Sequence, residues 1–166
     1  KEIGKSDLDL SYDVSYEQEE KLGDLMKEMI WDDFKTVKDN AADSALKQIT
    51  DRLIKALDTT NYRYEFTIIK NDQINAFTIP GGNIYVFSEL MKVAETPEEV
   101  AAVLAHEIGH AENRHVVTKL MQELSITAIV GILSGGDPSV LTEVLTNIIG
   151  NTFSRAQEEE ADKFAL

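Results

Sequence analysis

His106 and His110 stand four residues apart, with Glu107 directly after the first, in the run His106-Glu107-Ile108-Gly109-His110. Residues four apart on a helix share a face, one turn above the other. Both imidazoles can therefore aim at one point, and neutral imidazole is a good ligand for zinc. Glu107 lies about 100° round the helix from His106. A carboxylate there sits beside a metal rather than on it, where it can take a proton from activated water. The competing reading is a pair of surface histidines, since a pattern of three fixed residues recurs by chance. The flank weighs against it. Residues 100–105 are apolar on nearly every side, which marks a buried helix, and imidazole and carboxyl groups at the end of a buried helix need partners.

Two imidazoles call for a third ligand, and two histidines with one glutamate form a catalytic zinc set. Far along the chain, residues 154–162 open another helix, with Glu158 and Asp162 four apart on one face. Glu158 is the candidate third ligand to a single zinc ion. Asp162, one turn on, can accept the second N–H of a liganding imidazole and fix its tautomer. Glu159 reads as solvated, and Glu160 is the substitute should Glu158 not reach. His115 falls five residues after His110 and about 180° round the helix from His106. It reads as a structural or surface histidine and not as a ligand.

These groups need elements to hold them. Ser15 followed by Gln18 is a capping-box pair, and Leu22, Leu25, Met26, Met29 and Ile30 form one apolar stripe of a helix ending near Phe34. A second helix spans about 41–57, with Asn40 as cap and Ala45, Leu46, Ile49, Leu53 and Leu57 inward. Residues 62–70, 74–79 and 83–87 read as three strands. Short turns at Asn71-Asp72 and Pro80-Gly81-Gly82 predict an antiparallel meander. Ser88 starts a short helix. Thr96 caps the motif helix, with Pro97 at its first position and Glu99 closing a capping box; this helix is expected to run to about Lys119. Gly109 inside it implies close approach of a neighbouring element. Residues 120–133 and 140–149 read as two short helices, or a helix and a lid, joined by a turn; buried core is the main expectation and membrane contact the minor one.

Composition narrows the classes. Sixteen basic against thirty acidic residues give a net charge of −14, which disfavours nucleic acid and anionic membrane surfaces as partners. With no cysteine there is no disulfide and no thiol nucleophile. No apolar run reaches the ~18 residues of a bilayer-spanning helix. The chain opens at Lys1 and stops at Leu166 within a helical pattern, so it reads as a trimmed piece. Residues 1–14 form a polar arm and 15–166 a single domain truncated at its C-terminus.

Three motifs in order resemble the M48 peptidases, the zinc metallopeptidase family of CAAX prenyl proteases, HtpX and BepA: Asn75-Ala-Phe-Thr-Ile-Pro-Gly-Gly82, His106-Glu-Ile-Gly-His110 with Arg114-His115, and Ser154-Arg-x-x-Glu-x-Glu-Ala-Asp162. The soluble branch is the closer likeness. The resemblance implies an α+β, mainly helical zincin-like (gluzincin) domain with a small antiparallel three-stranded sheet beside the motif helix. It implies zinc on His106, His110 and Glu158, Glu107 as catalytic base, and Asp162 as supporting carboxylate. Substrate backbone is expected along the strand at Asn75, Ala76 and Phe77. The implied activity is a metalloendopeptidase acting on unfolded or extended polypeptide in protein quality control, in a bacterial periplasm or cell envelope. Members usually carry a later helix that brings a His or Arg to the oxyanion; the sequence stops before such a helix, and Tyr85 is only a weak candidate for that donor. The alternative is a metal-stabilised, chaperone-like binding module with little or no turnover.

Overall fold

The Ser15 hydroxyl accepts from the Gln18 amide while the Gln18 side chain accepts from the Ser15 amide. This reciprocal pair launches helix α1, Tyr16–Asp33. The computed structural model describes residues 14–150 and 152–166. The arm expected over 1–14 lies outside the described residues apart from Val14, which is buried. The predicted stripe holds: Leu22, Met26 and Ile30 are buried, and Leu25 and Met29 pack partly against them. Helix α2, Asn40–Lys55, is capped by Asp39 rather than Asn40, since the Asp39 carboxylate accepts from the Ala41 and Ala42 amides. Ala45, expected inward, is exposed, because the buried line runs through Leu46 and Thr50.

Three strands follow: β1, Glu65–Ile69; β2, Ala76–Ile79; β3, Asn83–Phe87. The predicted meander is corrected here. The order is β1-β3-β2, with β3 antiparallel to β2 but parallel to β1, so the sheet is mixed. A clasp explains it. The Asn71 amide donates to the Ser88 hydroxyl, and that hydroxyl donates back to the Asn71 carbonyl. The chain leaving β1 therefore passes the end of β3 and returns on its far side as β2. Residues 70–82 then serve as the long crossover that a parallel pair requires. Gly81 and Gly82, at φ +90° and +78°, make the tight β2–β3 turn in a region that favours glycine.

Both strand starts fall later than expected. Tyr62 and Tyr64 lie before β1 and spend their hydroxyls on Glu19 and Glu112, and Ile74 lies exposed before β2. The sheet separates two cores. Phe77, Ile79, Tyr85 and Phe87 face α1 and the later helices. Ile68, Ala76, Ile84 and Val86 face α2, helix α3 (Ser88–Val93) and helix α4 (Pro97–Glu112).

Helix α4 is the motif helix, with Thr96 at its N-cap and Pro97 at its first position. Its capping box does not form: Glu99 accepts from the Glu95 amide, 2.7 Å away, and the Thr96 side chain makes no capping bond. The helix also does not run on to Lys119. It stops at Asn113, Arg114 takes a left-handed φ of 53°, and helix α5, His115–Glu123, departs from there. The break is held from outside. Arg114 donates to the buried Glu19 carboxylate from Nε at 3.1 Å and Nη2 at 3.0 Å, donates to the Val14 carbonyl, and stands over the Tyr16 ring.

Helices α6, Ile126–Leu133, and α7, Leu141–Ile149, place Ile129, Ile132, Leu141, Val144, Leu145 and Ile148 in the core. The core expectation for this region holds. Among the described residues no single helix is long and apolar enough to cross a membrane; α5 and α6 would pass only as a pair bent by 105°. Helix α8, Arg155–Ala165, opens with a capping box of Ser154 and Gln157.

Candidate metal centre

Helix α8 packs on α4 where α4 has no side chain. A Cβ on Gly109 would stand 2.9 Å from the Ala161 carbonyl oxygen and 3.0 Å from its Cα. The close approach inferred from Gly109 is thus present, and it brings Glu158 to the two histidines. His106 Nε2 lies 3.1 Å from Glu158 Oε2, and His110 Nε2 lies 3.4 Å from Glu158 Oε1. The two Nε2 atoms are 3.0 Å apart. Ligand atoms about 2.0–2.1 Å from a tetrahedral zinc stand about 3.3 Å from one another, so the spacing is near that of a coordination shell. His106, His110 and Glu158 together could hold a metal ion.

The hydrogen bonds around the cluster suit that use. His106 Nδ1 donates to Asp162 Oδ1 at 2.8 Å, which leaves a lone pair on Nε2. An imidazole lone pair facing a second ring nitrogen and a carboxylate is repulsive unless a cation lies between them. Burial, with His106 and His115 close by, pushes His110 down to about 3, so it is neutral at ordinary pH, as a metal ligand must be. Phe153 stacks on the His110 ring at 4.2 Å and fixes its plane.

Glu107 is buried beside the cluster. The Thr78 backbone amide donates to its carboxylate, while Oε2 has no hydrogen-bond partner among the described residues. Burial first, then the neighbouring Glu158, holds its carboxyl well above the usual carboxylate range. Ile74, Asn75, Leu90, Val103, His106, Glu107 and Glu158 line one cleft of about 300 Å³.

The remaining expected residues fall as follows. β2 is an outer strand, so Asn75, Ala76 and Phe77 do lie at a sheet edge. Ala76 and Phe77 have buried side chains, and the Asn75 amide donates to the Ile149 carbonyl. Tyr85 is removed as an oxyanion donor: it is buried and stacked on Phe77 in the core on the sheet face away from α4. His115, read as structural, is buried against His110, with 2.9 Å between their Nδ1 atoms, and its Nε2 meets Glu160 Oε2 at 3.0 Å. Sequence reasoning missed this pair and the Phe153 stack. A straight helix carries His115 away from the site, and only the Arg114 break brings it back.

A mainly helical α+β domain that aims two histidines one turn apart and a glutamate from a second helix at one point is zincin-like. The chain belongs to peptidase family M48, whose sequence profile matches residues 40–166. It is 27% identical to the beta-barrel assembly-enhancing protease of Yersinia pestis over 92% of this chain and 34% of that protein. It is 28% identical to the mitochondrial metalloendopeptidase OMA1 of Schizosaccharomyces pombe over 86% of this chain and 46% of that protein. The chain thus spans about a third to a half of the length of these relatives.

Proposed function

We propose that this chain is the catalytic domain of a zinc-dependent metalloendopeptidase that cleaves unfolded or extended polypeptide, in protein quality control. The observation that carries the reading is the meeting of His106, His110 and Glu158 beside a buried Glu107 whose Oε2 is unpartnered among the described residues. Two nitrogens and one carboxylate suit zinc and leave a coordination position open. Zinc, when bound, supplies Lewis acidity for the peptide carbonyl and for attacking water. Glu107 takes the proton from that water and returns it to the leaving amine. Asp162 orients His106. The names of the relatives support proteolysis, and a periplasmic or cell-envelope location belongs to the same reading.

Substrate backbone is proposed to lie along β2 at Asn75, Ala76 and Phe77, where an outer strand turns the Ala76 and Thr78 carbonyls outward as main-chain acceptors. The Phe87 amide donates to the Asn75 carbonyl, so by alternation Ala76 and Thr78 face outward. Their amides are already used, by the Asn75 side chain and by Glu107. One observation favours the second reading, a binding module without turnover: Tyr85, the candidate oxyanion donor, is buried against Phe77 on the far face of the sheet.

Digestion of casein with and without a chelator separates the two, with aggregation suppression measured on the same sample. Chelator-sensitive cleavage that is lost in Glu107→Gln with zinc retained is the expected result. Turnover by Glu107→Gln would remove Glu107 from the role. Aggregation suppression without cleavage would favour the binding module.

A further inference from the structure

We infer that Glu160 and His115 form a positioning relay that sets the tautomer of His110, so that its Nε2 offers a lone pair to the metal. The inference rests on the metal site proposed above and goes one layer outward.

The chain of contacts is continuous. Glu160 Oε2 lies 3.0 Å from His115 Nε2, His115 Nδ1 lies 2.9 Å from His110 Nδ1, and His110 Nε2 turns toward His106 and Glu158. An ionised carboxylate can only accept, so His115 Nε2 must carry the hydrogen. A neutral imidazole has one N–H, which leaves a lone pair on His115 Nδ1. A close contact between two ring nitrogens needs a hydrogen or a cation between them; outside the ligand cluster it is a hydrogen, and here only His110 Nδ1 can supply it. His110 Nε2 is then left bare and aimed at the ligand cluster. The opposite polarity would put a hydrogen on His110 Nε2 and aim it into the metal position.

The two histidines are therefore supported by different means. His106 donates directly to Asp162. His110 sits deeper and is addressed through a second imidazole, itself buried to 3% side-chain exposure. The relay joins α4, α5 and α8. It exists only because the left-handed Arg114 turns α5 back so that His115 meets His110.

The first test reads the polarity directly. Long-range proton–nitrogen NMR of the imidazoles, on the full chain without metal, should find His115 protonated at Nε2 and His110 protonated at Nδ1. His115 protonated at Nδ1 alone would overturn the relay. The second test is zinc affinity by chelator competition. His115→Phe keeps the bulk and removes the acceptor, and should bind zinc about 10- to 100-fold more weakly, the usual range for partners that orient a ligand. His115→Asn, which restores a carbonyl acceptor near Nδ1, should recover part of the loss.

Glu160 is partly exposed, so its variants should fold even if those of His115 do not. Glu160→Gln should stay near wild type through its amide oxygen. Glu160→Lys offers only donors, favours the wrong tautomer, and should weaken zinc the most. The absorption bands of the cobalt-substituted protein should shift in the same order. Unchanged affinity in both His115→Phe and Glu160→Lys would sink the relay while leaving the metal site intact. Failure of the wild-type chain to bind zinc would overturn the site and the relay together.

Discussion

Gly109 on α4 lies so close under Ala161 on α8 that a methyl group on the glycine would meet backbone, 2.9 Å from the carbonyl oxygen and 3.0 Å from Cα, as well as the Phe164 Cβ at 3.1 Å. Two effects compete in Gly109→Ala. Alanine gains up to ~1 kcal/mol in helix propensity, whereas overpacking costs about 1–3 kcal/mol. The atoms struck are mostly main chain and cannot rotate aside, so overpacking wins. The expected outcome is a net loss of about 1 kcal/mol or more in urea unfolding. It should come with weaker zinc binding, because α8 carries Glu158. A variant more stable than wild type would show that the contact is not tight.

Glu19 and Arg114 form an ion pair with side chains only 4% and 10% exposed. Burial raises the Glu19 carboxyl above its usual range even with Arg114 beside it, so desolvation is not fully offset by pairing. Removing one partner leaves the other buried and charged. Arg114→Met should therefore cost about 3–5 kcal/mol, and adding Glu19→Met should return part of that. A chemical denaturation series on the two single variants and the double variant checks this; strictly additive losses would contradict it. Loss of the Arg114 anchor should also lower zinc affinity, since the turn it holds places His115 against His110.

Legibility from sequence followed the range of the interaction. The pair His106 and His110, and the pair Glu158 and Asp162, are readable because each lies within one helix, where periodicity alone fixes the shared face. The approach of the two helices was readable in part through Gly109, a poor helix former with no local reason to be there. The sheet order was not readable. It depends on the Asn71–Ser88 clasp, seventeen residues apart, and short turns suit a meander just as well. The end of α4 was hidden for the same reason: nothing around Arg114 announces that its partner is Glu19, 95 residues earlier. On a straight helix His115 points away from His106, and the break at Arg114 makes that angle irrelevant.

Glu158 supplies the only carboxylate in the ligand cluster found among the described residues. Glu158→Ala should leave two imidazoles, too few to hold zinc firmly, and metal content after dialysis should fall well below one per chain. Glu160 is already engaged by His115, so it is poorly placed to substitute. Full zinc occupancy in Glu158→Ala would reassign the third ligand.

Asp162 presents the contrasting case. Its 2.8 Å contact with His106 Nδ1 fixes the same tautomer that the relay fixes in His110, yet its side chain is 73% exposed. Water can take over an exposed acceptor, whereas nothing can easily replace the buried His115. Asp162→Ala should therefore sit at the low end of the range for such partners, about 10-fold in zinc affinity, and Asp162→Asn, which keeps an acceptor oxygen, should be smaller still. His115→Phe should exceed both. Competition with a chelator across the three variants ranks them in one experiment. If Asp162→Ala proved the most damaging, exposure would not be what grades these supports, and direct contact with the first ligand would matter more than the dryness of the path to the second.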